Sequence, residues 1–95
     1  MLKHVVVLKF KPGTHDSDIT DIEKGLASLP ARIPEIKRYI FGPDILRSER
    51  SYDFALVSEF EDQDAMDRYQ THPYHFAVLN KIKAICEDIV TVDFL

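Results

Sequence analysis

From residue 2 to residue 10 the chain alternates: Leu2, His4, Val6, Leu8 and Phe10 share one parity, and Lys3, Val5, Val7 and Lys9 the other. Successive side chains of an extended chain point to opposite faces, so the stretch predicts a strand with two partly apolar faces. KPGTHDSD then reads as a turn. Asp16 or Ser17 is the expected cap of a helix whose apolar residues Ile19, Ile22, Leu26 and Leu29 recur at helical spacing. Pro30 and Pro34 are expected to end it. KRYIFG, residues 37 to 42, predicts a second strand closed by Gly42 and Pro43. SYDFALVSEF repeats the alternation, with Tyr52, Phe54, Leu56, Ser58 and Phe60 opposite Asp53, Ala55, Val57 and Glu59, and predicts the third. DQDAMDRYQ predicts a short helix carrying Ala65, Met66 and Tyr69 on one side. Pro73 suits the first turn of another helix, which is expected to turn Phe76, Leu79, Ile82 and Ile85 inward. Residues 88 to 95, DIVTVDFL, close the pattern as a fourth strand.

The order β-α-β-β-α-α-β predicts an α+β, ferredoxin-like arrangement: a four-stranded antiparallel sheet with helices on one face. His4 and the bulky aromatics fall on the helix side. The opposite side presents Val5, Val7, Ala55 and Val57, framed by Lys3, Lys9, Asp53 and Glu59. No helix remains to cover that strip, and an apolar patch left wet in a monomer marks an interface. A two-fold homodimer packed sheet to sheet is therefore expected.

Composition narrows the function classes. The 95 residues are 45% hydrophobic and 29% charged, the make-up of one globular domain, residues 1–95. The net charge of −4 arises from 12 basic and 16 acidic residues, and the basic ones are scattered. Nucleic acid is thus not an expected partner. The N-terminal apolar run is too short to span a bilayer and is broken by Lys3, His4 and Lys9, so no membrane association and a cytoplasmic location are expected. A single cysteine, Cys86, excludes a disulfide framework within the chain and reads as a small buried hydrophobe.

Candidate chemistry lies in the histidines and tyrosines. His15 sits in a turn beside Asp16 and Asp18 and reads as solvated. His4 points between sheet and helices, where a polar ring needs a partner or a wet cavity. In the stretch THPYH, His72 precedes Pro73 and so stays extended, suited to a local cap. His75 falls in the first helical turn, where the unpaired N–H groups and positive dipole disfavour an imidazolium. A neutral imidazole is what a general base requires. Tyr69, on the preceding helix, is placed to hydrogen-bond a substrate oxygen while His75 takes a proton. The i, i+3 spacing of His72 and His75 also suits metal ligation, but the intervening proline and the lack of a carboxylate in the motif favour a metal-free polar pocket.

KHVVVLKFKP, IPEIKRYIFG, YDFALVSEFED and YQTHPYHFAV together resemble the stress-responsive A/B barrel domain (Dabb) family of the dimeric α+β barrel superfamily, over nearly the whole chain. The resemblance implies a homodimer whose sheets face each other. One family member, a plant polyketide cyclase, uses a tyrosine and a histidine as an acid/base pair in a cofactor-free aldol closure, and these fall on Tyr69 and His75. Its strand-one histidine falls on His4. A further pocket histidine falls on Phe54, and a tyrosine on Leu26, both departures toward a less polar site. No cofactor is implied. Two readings follow besides a purely structural dimer. One is a small-molecule binder with His4, Phe54, Met66, Tyr69, His75, Phe76 and Leu26 around its pocket. The other is a cofactor-free cyclase, isomerase or lyase with Tyr69, His75 and His4 as its chemistry.

Overall fold

The computed structural model describes residues 1–95. The first alternating stretch forms β1 (Leu2–Phe10), followed by α1 (Asp16–Arg32), β2 (Arg38–Pro43), β3 (Phe54–Phe60), α2 (Gln63–Gln70), α3 (Pro73–Ile85) and β4 (Cys86–Phe94). The strands make one antiparallel sheet in the order β2-β3-β1-β4. Leu2, Leu8, Phe54, Leu56 and Phe60 pack beneath the helices with Ile22, Leu26, Leu29, Tyr69, Val78 and Ile82. The fold class agrees with the alternation.

Several boundaries differ from expectation. The cap of α1 is His15 rather than Asp16 or Ser17, and the Asp18 carboxylate accepts the His15 backbone N–H at 3.3 Å. Helix α1 also runs through Pro30 to Arg32. Pro30 lacks the N–H that would reach the Leu26 carbonyl. The last turn persists because Leu29 and Ile33 on either side are both buried, and the Ile33 N–H closes on the Leu29 carbonyl at 2.9 Å. Strand β3 begins at Phe54. Asp53 instead holds the end of β1, its carboxylate accepting the Phe10 N–H at 2.7 Å, while the Tyr52 hydroxyl donates to the Asp88 carboxylate of β4 at 2.6 Å. Strand β4 begins at Cys86, directly after α3, with an irregularity in its pairing between Lys9 and Phe10.

The inward face of α3 also differs. Phe76 is 56% exposed, whereas Val78 and Ile82 are buried. Helices α1 and α3 approach closely at Gly25, where an added Cβ would stand 3.1 Å from a Val78 methyl. A Gly25→Leu substitution has no room at that crossing and is expected to lower stability by about 1–3 kcal/mol. A urea midpoint equal to that of the natural sequence would contradict the close packing.

Candidate functional site

The pairing register lays four polar side chains in one row across the helix-facing side of the sheet. Tyr39 on β2 opposes Ser58 on β3, Ser58 opposes His4 on β1, and His4 opposes Asp93 on β4. The row lies beneath the junction between α2 and α3. Local sequence chemistry sets that junction. The Asp62 carboxylate caps α2 by accepting the Ala65 N–H at 2.9 Å, and the His72 Nδ1 caps α3 by accepting the Tyr74 N–H at 3.2 Å. His72 is thereby committed to the backbone. Pro73 starts α3 and places His75 in its first turn, turned back toward α2.

There the His75 Nδ1 lies 3.1 Å from the Gln70 carbonyl oxygen. A carbonyl only accepts, so Nδ1 carries the proton and Nε2 of the neutral ring holds a lone pair. His4 is held in the same manner, its Nδ1–H donating to the Asp93 carboxylate. Neither Nε2 has a partner within the protein. Because every fully buried side-chain nitrogen and oxygen is hydrogen-bonded, these two atoms face open space. The Tyr69 ring adjoins both imidazoles, with its centroid 4.2 Å from that of His75 and 6.5 Å from that of His4.

That open space is a cavity of about 300 Å³ between the sheet and helices α1 and α3. His4, Val6 and Leu8 of β1, Leu56 of β3, and Ile89 and Thr91 of β4 form its floor. Leu26, Tyr69, Gln70, His75, Val78, Leu79 and Ile82 form its roof and walls. Gln70 and Thr91 are exposed and mark its mouth. No lysine, arginine or carboxylate lines it.

Of the residues expected from the sequence, His4, Tyr69, His75 and Leu26 meet at this cavity. Phe54 and Met66 do not line it; both are buried in the core. Phe76 points outward. Sequence reasoning missed Thr91, Gln70, the anchoring Asp93, and Tyr39, whose hydroxyl lies 2.7 Å from that of Tyr69. Tyr39 and Asp93 each sat on the inward parity of a strand, which was the available signal. Which residues they oppose depends on register.

Burial holds the His75 imidazole below its ordinary value of 6.5, and the neighbouring His4 and His72 act in the same direction against the Gln70 carbonyl. The unfolded chain therefore binds a proton here more readily than the folded one. Stability contributed by the neutral ring is complete above about pH 6.5 and falls as pH drops toward the folded value. Carboxylates act in a lower window. The Arg68 hydrogen bond lowers the Glu35 value. Burial would raise the Asp53 value, but the Phe10 N–H and Arg47 reverse it. Their contributions persist until pH falls below the ordinary carboxylate range. Unfolding midpoints measured at pH 7.5 and 5.5 should drop for the natural sequence and drop less for His75→Gln. Equal drops would contradict the buried neutral ring.

Burial also pushes the Tyr69 hydroxyl up to about 12, although its hydrogen bond with the Tyr39 hydroxyl opposes it. At neutral pH it remains a proton donor.

The family model described as the Stress responsive A/B Barrel Domain, Dabb, matches residues 2–95. The chain belongs to this family. A stress-response A/B barrel domain-containing protein of Arabidopsis thaliana is 32% identical to this Dabb chain over 97 residues, covering 97% of it and 83% of the relative. Olivetolic acid cyclase of Cannabis sativa is 24% identical over 95 residues, covering 98% of this chain and 94% of the cyclase. Among solved structures, a dimeric ferredoxin-like protein of unknown function from Thermobifida fusca aligns with a TM-score of 0.90 at 33% identity, covering 98% of this chain and 88% of that one.

The outer face of the Dabb sheet carries two register rows of small apolar residues. Ile40, Val57, Val5 and Val92 form one, and Gly42, Ala55, Val7 and Val90 the other. Ile40, Val90 and Val92 are 49%, 43% and 62% exposed. Bordering them are Lys3, Arg38 and Glu59, with Lys3 and Arg38 both within ion-pair distance of Glu59, at 3.8 and 3.9 Å. No helix of the chain is long and apolar enough to cross a membrane.

Proposed function

We propose that this Dabb chain forms a homodimer through the outer faces of its sheets and binds a small uncharged organic molecule in the cavity of each subunit. The observation that supports this most is the convergence of two unpaired imidazole nitrogens and a tyrosine on an apolar cavity of about 300 Å³. Small-molecule sites share that anatomy: mostly apolar walls and a few oriented polar groups, from about 300 Å³ upward. The absence of charged lining residues argues for a neutral ligand, because a carboxylate brought there would lose its hydration without gaining a counter-charge.

Thermal unfolding in the presence of a panel of aromatic and β-keto compounds tests the cavity. A compound held at 100 times its Kd raises stability by about 2.7 kcal/mol. Val6→Phe places a ring where the cavity now stands and should abolish that gain while leaving the protein folded. A gain that survives in Val6→Phe would move the site elsewhere.

A second reading, a cofactor-free cyclase, isomerase or lyase, is favoured by the orientation of His75. Its Nδ1–H is spent on Gln70 and its Nε2 is free to take a proton, while Tyr69 hydrogen-bonds or protonates an enolate oxygen and His4 holds the substrate. Likeness to olivetolic acid cyclase, 24% identical over 95 residues, supports a cyclase within this reading. His75→Ala separates the two readings. An enzyme should lose turnover by roughly 10²-fold or more, whereas a binder loses affinity alone. Undiminished turnover in His75→Ala would exclude His75 as the base.

A further inference from the structure

The outer sheet face carries a glycine that its own subunit does not call for. Gly42 lies within β2 without a positive φ, and a Cβ added there would meet no atom within 4 Å. A glycine inside a strand weakens it and marks a place where another chain comes close. Around Gly42 the outer face sinks into a groove of about 330 Å³ whose lining includes Val7, Pro43, Ile45, Tyr52 and Ala55. Ile45 and its neighbour Leu46 are 88% and 80% exposed, large apolar side chains that the subunit leaves wet. The segment that carries them, residues 44–53, is braced. The Asp44 N–H donates to the Asp53 carbonyl at 2.9 Å, and the Arg47 guanidinium meets the Asp53 carboxylate at 2.8 Å. Its two arginines, Arg47 and Arg50, are outnumbered by Asp44, Glu49 and Asp53, which disfavours an anionic lipid surface as the occupant.

At the opposite edge of the sheet, β4 is bulky rather than hollow, with Val90 and Val92 43% and 62% exposed. One register row runs from hollow to bulk as Gly42, Ala55, Val7 and Val90. A two-fold axis along the strands reverses that row on the facing copy, so valine meets glycine at both edges and the packed sheets keep an even separation of about 10 Å. An axis across the strands would stack β4 on β4 and crowd valine on valine. We infer that the groove at Gly42 seats the partner's Val90 and that Ile45 and Leu46 close over the partner subunit's β4, a placement that rests on the homodimer reading and adds its axis and contacts. The occupant is a second copy because the groove shares Val7, Gly42 and Ala55 with the apolar rows of the outer face and continues them beyond the end of β2.

Gly42→Val separates the subunit from the assembly. Within the subunit a valine has room and suits a strand, so the far-ultraviolet circular dichroism should keep its natural form. Across the axis it fills both grooves, and the dimer Kd read by analytical ultracentrifugation should rise by about tenfold or more. Ile45→Ser removes an exposed side chain that the isolated subunit does not use, and should also raise the Kd about tenfold through two lost contacts. An unchanged Kd in either variant would overturn the inferred seat and leave the homodimer reading intact. A natural sequence that sediments as a monomer at every concentration would overturn both. Isotope-filtered NMR on dimers mixed from carbon-13-labelled and unlabelled chains needs no variant. Contacts across the interface between the Val90 methyls and the Gly42 Hα are expected. Their absence, or contacts of Val90 with the partner's Val92 in their place, would overturn the inferred axis.

Discussion

Val7→Asp is expected to turn a dimer into monomers or aggregates while each subunit keeps its fold. Val7 lies at the centre of the outer sheet face, paired with Ala55 on one side and Val90 on the other. All three helices sit on the opposite face, so nothing within one subunit covers this patch. It has the anatomy of an interface: an apolar centre, free of charge across two register rows, bordered by Lys3, Arg38 and Glu59. A two-fold axis would use Val7 twice and bring two carboxylates into the same apolar seam. Burying unpaired carboxylates costs several kcal/mol each, more than a modest interface supplies. Within a single subunit Val7 is only partly buried, so the substitution should cost the isolated fold on the order of 1 kcal/mol. Light scattering after size exclusion reads the mass, and circular dichroism reads the fold. A dimer mass unchanged by Val7→Asp would refute the sheet-to-sheet arrangement.

The second large effect is Phe60→Ala, expected to cost about 3–5 kcal/mol. Phe60 is fully buried, and its ring lies 4.8 Å from that of Tyr69. It is the floor on which the site's tyrosine rests. Domains of this size have stabilities of roughly 5–15 kcal/mol in total, so the variant should approach unfolding. Phe76→Ala makes the contrast with the same residue type. Phe76 is 56% exposed, and its removal should change stability by no more than about 0.5 kcal/mol. Comparable urea midpoints for the two variants would mean that α3 is rotated relative to the packing described above.

That contrast shows where sequence reasoning reached its limit. Alternation assigned the residues of β1 and β3 to their faces, and helical spacing found α1 with Ile22, Leu26 and Leu29 inward. Helix α3 was harder. Its apolar residues Phe76, Val78, Leu79, Ile82 and Ile85 spread around the helix, so spacing alone admits more than one inward stripe. The inward stripe begins with His75 and runs through Val78 and Ile82, and an imidazole does not count toward an apolar pattern. The candidate trio His4, Tyr69 and His75 was legible from parity, the Pro73 boundary and family resemblance. The anchors that give those rings their orientation were not. Asp93 meets His4, and Tyr39 stands in the same row, only through the pairing of four strands, and alternation fixes a residue's face without fixing its register. Pro30 misled for a related reason: a proline that removes one bond does not end a helix whose next turn is held by two buried side chains.

In the proposed function His4, Tyr69 and His75 face a ligand together. Nitrogen-15 NMR of the four histidine rings during an acetophenone titration tests it most directly. His15 caps α1 at the surface and His72 is committed to the Tyr74 N–H, so these two serve as internal controls. The Nε2 resonances of His4 and His75 should shift together along one binding curve while those of His15 and His72 stay in place. Shifts confined to His15 and His72, or none at His4 and His75 up to saturating acetophenone, would contradict it and leave the buried histidines as structural residues alone.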